Sequence, residues 1–292
     1  MKKLLGSYKN GNYNVFLFED GTKVRHNNEN ELIAAFPESI DLKISNRCNM
    51  GCSQCHEESV PDGALANLHH PLLDSLHSYT ELALGGGNIL EHPELEDFLE
   101  RMAARHIICN ATLHLHHFLT NYDYLLDLSR RGLIHGLGVS VNSLIDEETI
   151  NKIKNFPNAV VHTIAGVMPW SGYVELANHN LKMLILGYKT YGRGVSYWCE
   201  EFNTIHNNIE VLRQRLPYLM GRFSLISFDN LALEQLQIRE LVGEETWEKY
   251  YMGDDGQYTM YIDLVKQEYA TSSVSPRIPI DSNKIEELFK KV

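Results

Sequence analysis

Three cysteines close together in the sequence are the residues best suited to chemistry. Cys48, Cys52 and Cys55 follow a C-x3-C-x2-C spacing and account for three of the five cysteines in the chain. Thiolate sulfur is a soft ligand that suits iron–sulfur clusters and zinc. A cubane cluster has four irons, so three cysteines leave one iron without a protein ligand. Such a cluster does not suit a closed electron-transfer centre, but it can bind another molecule.

Structural zinc is the alternative use of these cysteines. A structural zinc site takes four protein ligands, and the fourth would have to come from Cys109, Cys199 or one of the 14 histidines. His56 follows Cys55 directly, and adjacent residues rarely reach the same metal ion. Accidental clustering is the remaining alternative. The spacing alone therefore favours an iron–sulfur cluster and leaves zinc open.

The cysteine motif resembles the signature of the radical S-adenosylmethionine (radical SAM) enzymes, and two flanking segments extend the resemblance. Residues 40–46 alternate as a strand does and lead into the cysteine loop, where the family has its first barrel strand. Residues 86–95 read Gly-Gly-Asn-Ile-Leu-Glu-His-Pro-Glu-Leu and resemble the family's Gly-Gly-Glu-Pro block with its downstream His-Pro. A weaker resemblance continues to about Arg193. On these motifs the chain is identified as a member of the radical SAM superfamily.

The resemblance implies two cofactors and a radical reaction. Cys48, Cys52 and Cys55 would bind a [4Fe–4S] cluster, whose open iron would chelate the amino and carboxylate groups of S-adenosylmethionine. A one-electron reductant such as flavodoxin or ferredoxin would then drive cleavage to a 5′-deoxyadenosyl radical, which abstracts a hydrogen atom from the substrate. In such enzymes the cofactor carries the demanding chemistry, while the protein orients the reactants and excludes water.

Glycines and amides near the motif are candidate contacts to S-adenosylmethionine. Gly86 and Gly87 would let the backbone approach the cofactor, because any Cβ would intrude. Asn88 stands where the family usually has a Glu that accepts a hydrogen bond from the methionine amino group, and its amide oxygen can still accept. Gln54 replaces the family's usual aromatic residue, so it would either hydrogen-bond the adenine edge or belong to an exposed loop.

Later strands supply further candidate cofactor contacts by the same resemblance. Polar residues at strand ends also serve simply to close turns. The candidates are Asn121 at the end of the predicted third strand, Ser140 and Asn142 at the end of the fourth, Ile164 in the fifth and Gly187 at the end of the sixth.

Other residues are candidates for contact with the substrate. Lys189 and Arg193 follow the sixth strand and suit a carboxylate or phosphate, with a solvated loop as the alternative. Cys199 has the weak S–H bond needed to return a hydrogen atom to a substrate radical, or it is a small buried hydrophobe. His114 and His116 share one face of the predicted third strand, where they would bind substrate or lie hydrogen-bonded in the core.

Composition and charge limit the class of protein and its compartment. The 292 residues are 43% hydrophobic and 22% charged, which is ordinary for a globular protein. A net charge of −12 argues against strong binding to a nucleic-acid backbone but does not exclude a nucleoside as substrate. An odd number of cysteines indicates a reducing compartment. Because no apolar run has the length of a signal peptide or a membrane span, we expect a cytoplasmic protein.

The alternation of predicted strands and helices indicates the fold class. Six strands alternate with helices between residues 37 and 217, which predicts a parallel α/β sheet with right-handed connections. The resemblance implies a partial (β/α)6 TIM-type barrel of the radical SAM type, with catalysis at the C-terminal ends of the strands. Residues 66–78 are predicted as a helix and residues 113–121 as the third strand.

The segments on either side of the barrel are predicted as additions to it. Residues 1–36 contain an alternating β-hairpin that would cap the barrel edge or dock a substrate. Residues 218–292 are predicted as an α/β extension that covers the side of the barrel, with strands at 222–228 and 258–264. The extension has no cysteine and so lacks the second-cluster domain of many peptide-modifying relatives.

The sequence thus predicts a radical SAM enzyme that acts on a peptide or a small molecule. Modification of a nucleoside or nucleic-acid base is the alternative, because Lys189 and Arg193 suit an anionic ligand. A non-catalytic iron–sulfur or zinc-binding protein is the alternative of another class. Iron content and reductant-dependent release of 5′-deoxyadenosine separate the two classes.

Overall fold

A small N-terminal sheet precedes the main body of the protein. The computed structural model describes residues 3–29 and 31–292. The small sheet is antiparallel and consists of β1 (Leu4–Asn10), β2 (Tyr13–Phe18) and β3 (Lys23–His26). The predicted hairpin is β2 and β3, and alternation places Tyr13, Val15 and Leu17 on its buried face. Strand β1 was not predicted, because its Gly-Ser-Tyr-Lys-Asn stretch has few β-formers.

The main sheet of the described residues has ten strands. They are β4 (Ser39–Ser45), β5 (Glu81–Gly86), β6 (Ile108–His114), β7 (Gly136–Ser140), β8 (Ala159–Ile164), β9 (Lys182–Leu186), β10 (Leu225–Phe228), β11 (Thr259–Asp263), β12 (Glu268–Ala270) and β13 (Ile278–Pro279). Their order across the sheet is β10-β9-β8-β7-β6-β5-β4-β11-β12-β13. Strands β4 to β11 pair parallel with one another, and β12 pairs antiparallel with both β11 and β13.

Helices connect the parallel strands and cover the sheet. They are α1 (Leu95–Ala104), α2 (Leu115–Thr120), α3 (Tyr122–Arg130), α4 (Glu147–Asn155), α5 (Trp170–Leu176), α6 (Arg193–Glu200), α7 (Phe202–Leu219), α8 (Asn230–Gln235), α9 (Ile238–Val242), α10 (Glu244–Tyr250) and α11 (Ile285–Phe289). Asp146 caps the start of α4, since its carboxylate accepts from the Thr149 backbone N–H at 2.8 Å. None of the helices in the described residues is long and apolar enough to cross a membrane.

The two faces of the barrel strands differ in polarity, and β4 shows the difference most clearly. Ile40, Leu42 and Ile44 are buried in the hydrophobic core between strands and helices. Asp41 and Lys43 alternate with them and face the interior of the barrel. Complete barrels usually fill this interior with branched apolar side chains. Here the charged side chains of Asp41 and Lys43 line it together with apolar side chains such as Leu184 and Leu186, which leaves a chamber of mixed polarity.

The predicted α/β fold class is confirmed, with two local corrections. Residues 66–78 do not form a helix but contain a short 3-10 turn at Pro71–Ser75, because the residue before a proline avoids the helical region. The third barrel strand is not 113–121 but β6, and the chain turns into α2 directly after it. Leu115 and Leu119 imitate a continued strand pattern, whereas the true strand begins at Ile108 and buries Ile108, Cys109, Ala111 and Leu113.

The C-terminal residues add strands to both edges of the predicted six. The predicted strand at 222–228 is present as β10, which pairs parallel with β9. The predicted strand at 258–264 is present as β11, which pairs parallel with β4. The partial barrel therefore has eight parallel strands in the described part of the chain, and its sheet order is open at β10 and β13.

The N-terminal sheet packs against the N-terminal ends of the barrel strands. Lys23 Nζ lies 2.6 Å from Glu81 Oε2 and 3.2 Å from Glu38 Oε2, and Arg25 Nε donates to Glu38 Oε1 at 2.9 Å. Burial acts to raise the pKa of Glu38, but the hydrogen bonds from Arg25 and the charge of Lys23 outweigh it and lower that pKa. The sheet thus covers the end of the barrel opposite the cysteine loop.

Candidate active site

A cavity of about 470 Å³ lies at the C-terminal ends of the barrel strands. Its wall contains the three cysteines of the motif together with Gly85, Gly86 and Gly87. The cysteine loop follows β4 and the glycines end β5, and these strands are parallel neighbours. Parallel pairing brings their C-terminal ends to one edge of the sheet. The two motifs that are separated in sequence therefore meet in one wall.

The cysteine loop is held by its own backbone and by Arg193. Cys55 N–H donates to the Cys52 carbonyl at 3.2 Å, which closes a turn between these two residues. Arg193 Nε donates to the Cys52 carbonyl and Arg193 Nη1 to the Ser59 carbonyl, both at 3.0 Å. Arg193 N–H also donates to the Cys55 carbonyl at 3.1 Å. The Arg193 guanidinium thus fixes the loop that carries the thiols, and because Arg193 also lines the cavity, the binding of an anionic ligand stays a prediction.

The three thiols fit a cluster by their chemistry and by their position. All three cysteines are half-buried and lie in the cavity wall. Burial raises the pKa of the Cys52 thiol, and the charges of Cys55 and Cys48 raise it further. The three sulfurs are therefore close enough to interact electrostatically. Three soft donors on one loop are suited to iron–sulfur ligation. Among the described residues, no three His, Cys, Asp or Glu side chains form a group that could hold a single metal ion.

A buried network of charges anchors the far end of the cysteine loop. Lys43 Nζ lies 2.6 Å from Glu57 Oε2 and 3.3 Å from Asp263 Oδ2, and Tyr261 O–H donates to Glu57 Oε1 at 3.1 Å. Burial acts to raise the pKa of Glu57, but the hydrogen bond to His56 and the charges of His56 and Lys43 hold it well below its usual range. Sequence reasoning missed this network, although a lysine inside a buried strand was a usable signal.

The glycines at the end of β5 differ in what surrounds them. A Cβ on Gly86 would lie 2.3 Å from the Ser45 carbonyl oxygen, and one on Gly87 would lie 2.2 Å from the Arg47 carbonyl oxygen. Gly86 also has a φ of +101°, which disfavours any side chain. A Cβ on Gly85 would meet nothing within 4 Å. Gly86 and Gly87 therefore leave room for the backbone that leads into the cysteine loop, whereas Gly85 leaves space in the cavity wall.

The predicted cofactor contacts divide into those in the wall and those outside it. Gln54, Ser140, Asn142 and Ile164 line the cavity with the cysteines. Asn142 Oδ1 accepts from the Ile164 backbone N–H at 2.8 Å, which ties the ends of β7 and β8 together. The structure thus brings together residues from four predicted segments of the site.

Three predicted contacts lie outside the cavity wall. Asn88 Oδ1 accepts from the Leu90 N–H at 3.3 Å and caps a 3-10 turn. Gly187 packs closely against α8, where a Cβ on Gly187 would lie only 2.5 Å from Leu231 Cγ. Asn121 does not end a strand, since it lies at the junction of α2 and α3. Direct contact of these residues with the cofactor stays a prediction.

The predicted substrate residues are also separated by the fold. Lys189 lines the cavity and donates from Nζ to Ser273 Oγ at 2.7 Å. Cys199 is exposed on α6 and is not part of the cavity wall, so it is not a buried hydrophobe either. Its role as a hydrogen-atom donor stays a prediction that this placement does not support. His114 lines the cavity as the last residue of β6, whereas His116 is exposed on α2.

Comparison with known proteins gives structural similarity without sequence similarity. No protein-family model matches this chain, and no curated protein matches it. SuiB of Streptococcus suis, solved bound to the precursor peptide SuiA, superposes with a TM-score of 0.56 at 11% identity over 88% of this chain and 65% of SuiB. SuiB bound to S-adenosylmethionine gives a TM-score of 0.54 at 12% identity over 88% of this chain and 64% of SuiB.

A third structure agrees with these two. The histidine-tagged protein anSMEcpe with bound AdoMet gives a TM-score of 0.51 at 11% identity over 85% of this chain and 79% of that chain. This chain spans slightly less than two thirds of SuiB. Likeness at these identities concerns the fold. The chain therefore has the partial-barrel fold of the radical SAM enzymes.

Proposed function

We propose that this protein is a radical SAM enzyme that modifies a peptide. The observation that carries the proposal is the meeting of three cysteines and Gly85 in one wall of a cavity at the C-terminal ends of parallel strands. This is the end of a barrel where active sites are built. Two of the solved structures of similar fold were obtained with S-adenosylmethionine bound.

The protein's own residues would provide binding and orientation within the cavity. Bound to a [4Fe–4S] cluster and reduced, S-adenosylmethionine would supply the radical that removes a hydrogen atom from the substrate. Cys48, Cys52 and Cys55 would bind three irons, and Arg193 holds their loop in place. The missing side chain of Gly85 leaves space in the wall of the same cavity. The N-terminal sheet covers the opposite end of the barrel.

A peptide is the substrate that the surroundings of the cavity favour. SuiB, which shares the fold, was solved with a precursor peptide. A second cavity of about 570 Å³ adjoins the first, and Asn230 and Asp255 belong to both walls. Trp247 and Tyr251 stack in its wall with ring centroids 4.4 Å apart. Two adjoining cavities suit an extended chain better than a single nucleoside.

The substrate class can be tested by isotope transfer. The reconstituted enzyme would be incubated with S-adenosylmethionine, a reductant and perdeuterated candidate peptides, and 5′-deoxyadenosine would be analysed by mass spectrometry. Deuterium in 5′-deoxyadenosine, together with a mass change of the peptide, is the expected result. Deuterium transfer from nucleosides but not from peptides would replace the peptide with the alternative substrate.

A further inference from the structure

A histidine from the third barrel unit lies against the first cysteine of the motif. His117 Nε2 is 3.7 Å from Cys48 Sγ, and both residues line the cavity. His117 is buried, with 6% of its surface exposed. Sulfur is larger than oxygen, so a donor N–H contacts it at a longer distance than it contacts oxygen. The separation therefore fits a hydrogen bond between the imidazole and the sulfur, with the imidazole as donor when the sulfur is a thiolate.

The short helix α2 fixes the position of this histidine. His114 Nδ1 accepts from the His116 N–H at 3.1 Å and so caps the start of α2. Asn121 donates to the His117 carbonyl from its backbone N–H at 3.1 Å and from Nδ2 at 2.9 Å. These bonds hold both ends of α2. The histidines and Asn121 that the sequence singled out thus place His117 beside the cysteine loop.

The other neighbours of His117 do not account for its position by themselves. The His117 ring meets the rings of His114 and His116 edge-on, at centroid distances of 6.1 Å and 5.7 Å. Edge-on aromatic contacts are weak and would be made equally well by phenylalanine or tyrosine. Contact with Cys48 is what distinguishes an imidazole from these rings. A group that donates to a cluster-binding sulfur is one of the determinants of cluster potential.

We propose that His117 donates a hydrogen bond from Nε2 to the Cys48 thiolate and thereby raises the reduction potential of the cluster. The inference rests on the proposed function, because it assumes that Cys48 binds iron. A hydrogen bond withdraws electron density from the sulfur, which stabilises the added electron of the reduced cluster. His117 is on this account a tuning residue. It neither binds iron nor touches the reacting atoms.

The test compares midpoint potentials of matched variants. His117→Ala removes the donor, His117→Gln retains an N–H donor, and His116→Ala removes a neighbouring exposed histidine from the same helix. Each protein is reconstituted anaerobically, its iron and sulfide are counted, and its midpoint potential is measured without S-adenosylmethionine by redox titration monitored by electron paramagnetic resonance. Circular dichroism confirms that each variant is folded.

The expected result is a full cluster in every variant and a more negative midpoint potential in His117→Ala. The His117→Gln potential should lie between those of His117→Ala and the wild type, and His116→Ala should match the wild type. Equal potentials in all four proteins would overturn the inference while leaving the proposed function intact. Iron loss from both folded His117 variants would also overturn it, because His117 would then be a ligand. A wild type without four irons would overturn both proposals.

Discussion

Arg193 shows how single residues prepare the cysteine loop. Its guanidinium donates in two directions, to the Cys52 and Ser59 carbonyls. Lysine has one compact ammonium group and cannot reproduce this fork. Hydrogen bonds that involve a charged group are worth about 1.5–3 kcal/mol each. We therefore expect Arg193→Lys to lower the iron bound per chain after anaerobic reconstitution to about half or less.

A neighbouring residue provides the control for this prediction. Tyr191 lies in the same loop and its side chain is exposed. Tyr191→Ala should keep the iron content of the wild type. If Arg193→Lys binds as much iron as Tyr191→Ala, the loop does not depend on the guanidinium, and Arg193 returns to the predicted role of an anion ligand.

The sequence was a good guide to which residues lie near the site. It was a poorer guide to what each of these residues contacts. The spacing of the cysteines and the glycines identified the cavity wall, because both motifs follow strands of a parallel sheet. Lys189 and Arg193 were predicted as a cationic pair, but only Arg193 uses its charge to hold the loop. The Lys189 ammonium donates to Ser273 and the Arg193 guanidinium to the Cys52 carbonyl, so the two cations have different partners. Both partners are distant in sequence from Lys189 and Arg193. Such partners are set by tertiary packing and leave no local signal.

The end of β5 allows a sharp comparison between two glycines. Gly85→Ala places a Cβ in open space, whereas Gly87→Ala places one 2.2 Å from the Arg47 carbonyl oxygen. We expect Gly87→Ala to lower the free energy of unfolding by about 2 kcal/mol or more, as overpacking does. Gly85→Ala should keep wild-type stability but bind S-adenosylmethionine more weakly. Urea unfolding and equilibrium dialysis measure the two effects.

The opposite pattern would contradict this account of β5. A stable Gly87→Ala variant would mean that the cysteine loop can shift to admit a side chain. Unchanged cofactor affinity in Gly85→Ala would mean that the space beside Gly85 is not used by S-adenosylmethionine.

Strands β7 and β8 contain a pH-sensitive contact. The His162 ring packs over Gly138, and burial lowers the pKa of His162 to about 4. In the unfolded chain a histidine has a pKa of about 6.5. Between these values the unfolded state binds a proton that the folded state excludes, so stability falls as the pH falls. The contribution lost between about pH 7.5 and pH 5 is about 2 kcal/mol.

A phenylalanine at this position provides the matched comparison. His162→Phe keeps a ring over Gly138 and cannot be protonated. The wild type should lose about 2 kcal/mol more than His162→Phe between about pH 7.5 and pH 5, as measured by urea unfolding. Parallel losses in the two proteins would mean that His162 is protonated freely in the folded state.

At the scale of strands and helices, regular apolar patterns predicted the elements correctly, whereas polar residues that begin a helix were misread. The predicted fourth, fifth and sixth strands are present as β7, β8 and β9. The end of β6 was predicted wrongly, because the strand pattern continues past His114 in the sequence, whereas the His114 side chain caps α2 and ends the strand there. A side-chain cap of this kind competes with strand pairing, and local propensity does not show which of the two wins.

At the scale of the whole molecule, Lys43 joins the cysteine loop to the C-terminal residues. Its buried ammonium contacts Glu57 of the loop and Asp263 of β11. Removal of this cation leaves two buried carboxylates without the lysine counter-charge, and breaking a buried ion pair costs about 3–5 kcal/mol. We expect Lys43→Met to lose stability on this scale in urea unfolding.

A surface ion pair supplies the control for Lys43. Lys152 Nζ lies 3.1 Å from Glu148 Oε1 on the exposed face of α4. Such surface pairs contribute about 1 kcal/mol or less to the free energy of unfolding. Lys152→Met should therefore unfold almost as the wild type does. Equal midpoints for Lys43→Met and Lys152→Met would show that the buried network does not hold the molecule together.

The overall architecture was predictable from the sequence, except for the strand pairings between residues far apart in the chain. Repeated strand–helix units predicted the parallel barrel, since each unit forms from residues that are neighbours in sequence. The pairing of β11 with β4 joins residues that are about two hundred positions apart, and no local pattern specifies it. The C-terminal extension was expected to cover the side of the barrel, and its strands β10 and β11 continue the barrel sheet.

The central claim is that three cysteines bind a cluster that cleaves S-adenosylmethionine. The most direct measurement is iron and sulfide content after anaerobic reconstitution, combined with reductant-dependent release of 5′-deoxyadenosine. The account predicts four irons per chain and 5′-deoxyadenosine in the wild type and in Cys109→Ala. It predicts neither in Cys48→Ala, Cys52→Ala or Cys55→Ala, because two thiolates do not hold the cluster in place. One zinc ion per wild-type chain without 5′-deoxyadenosine would contradict the account.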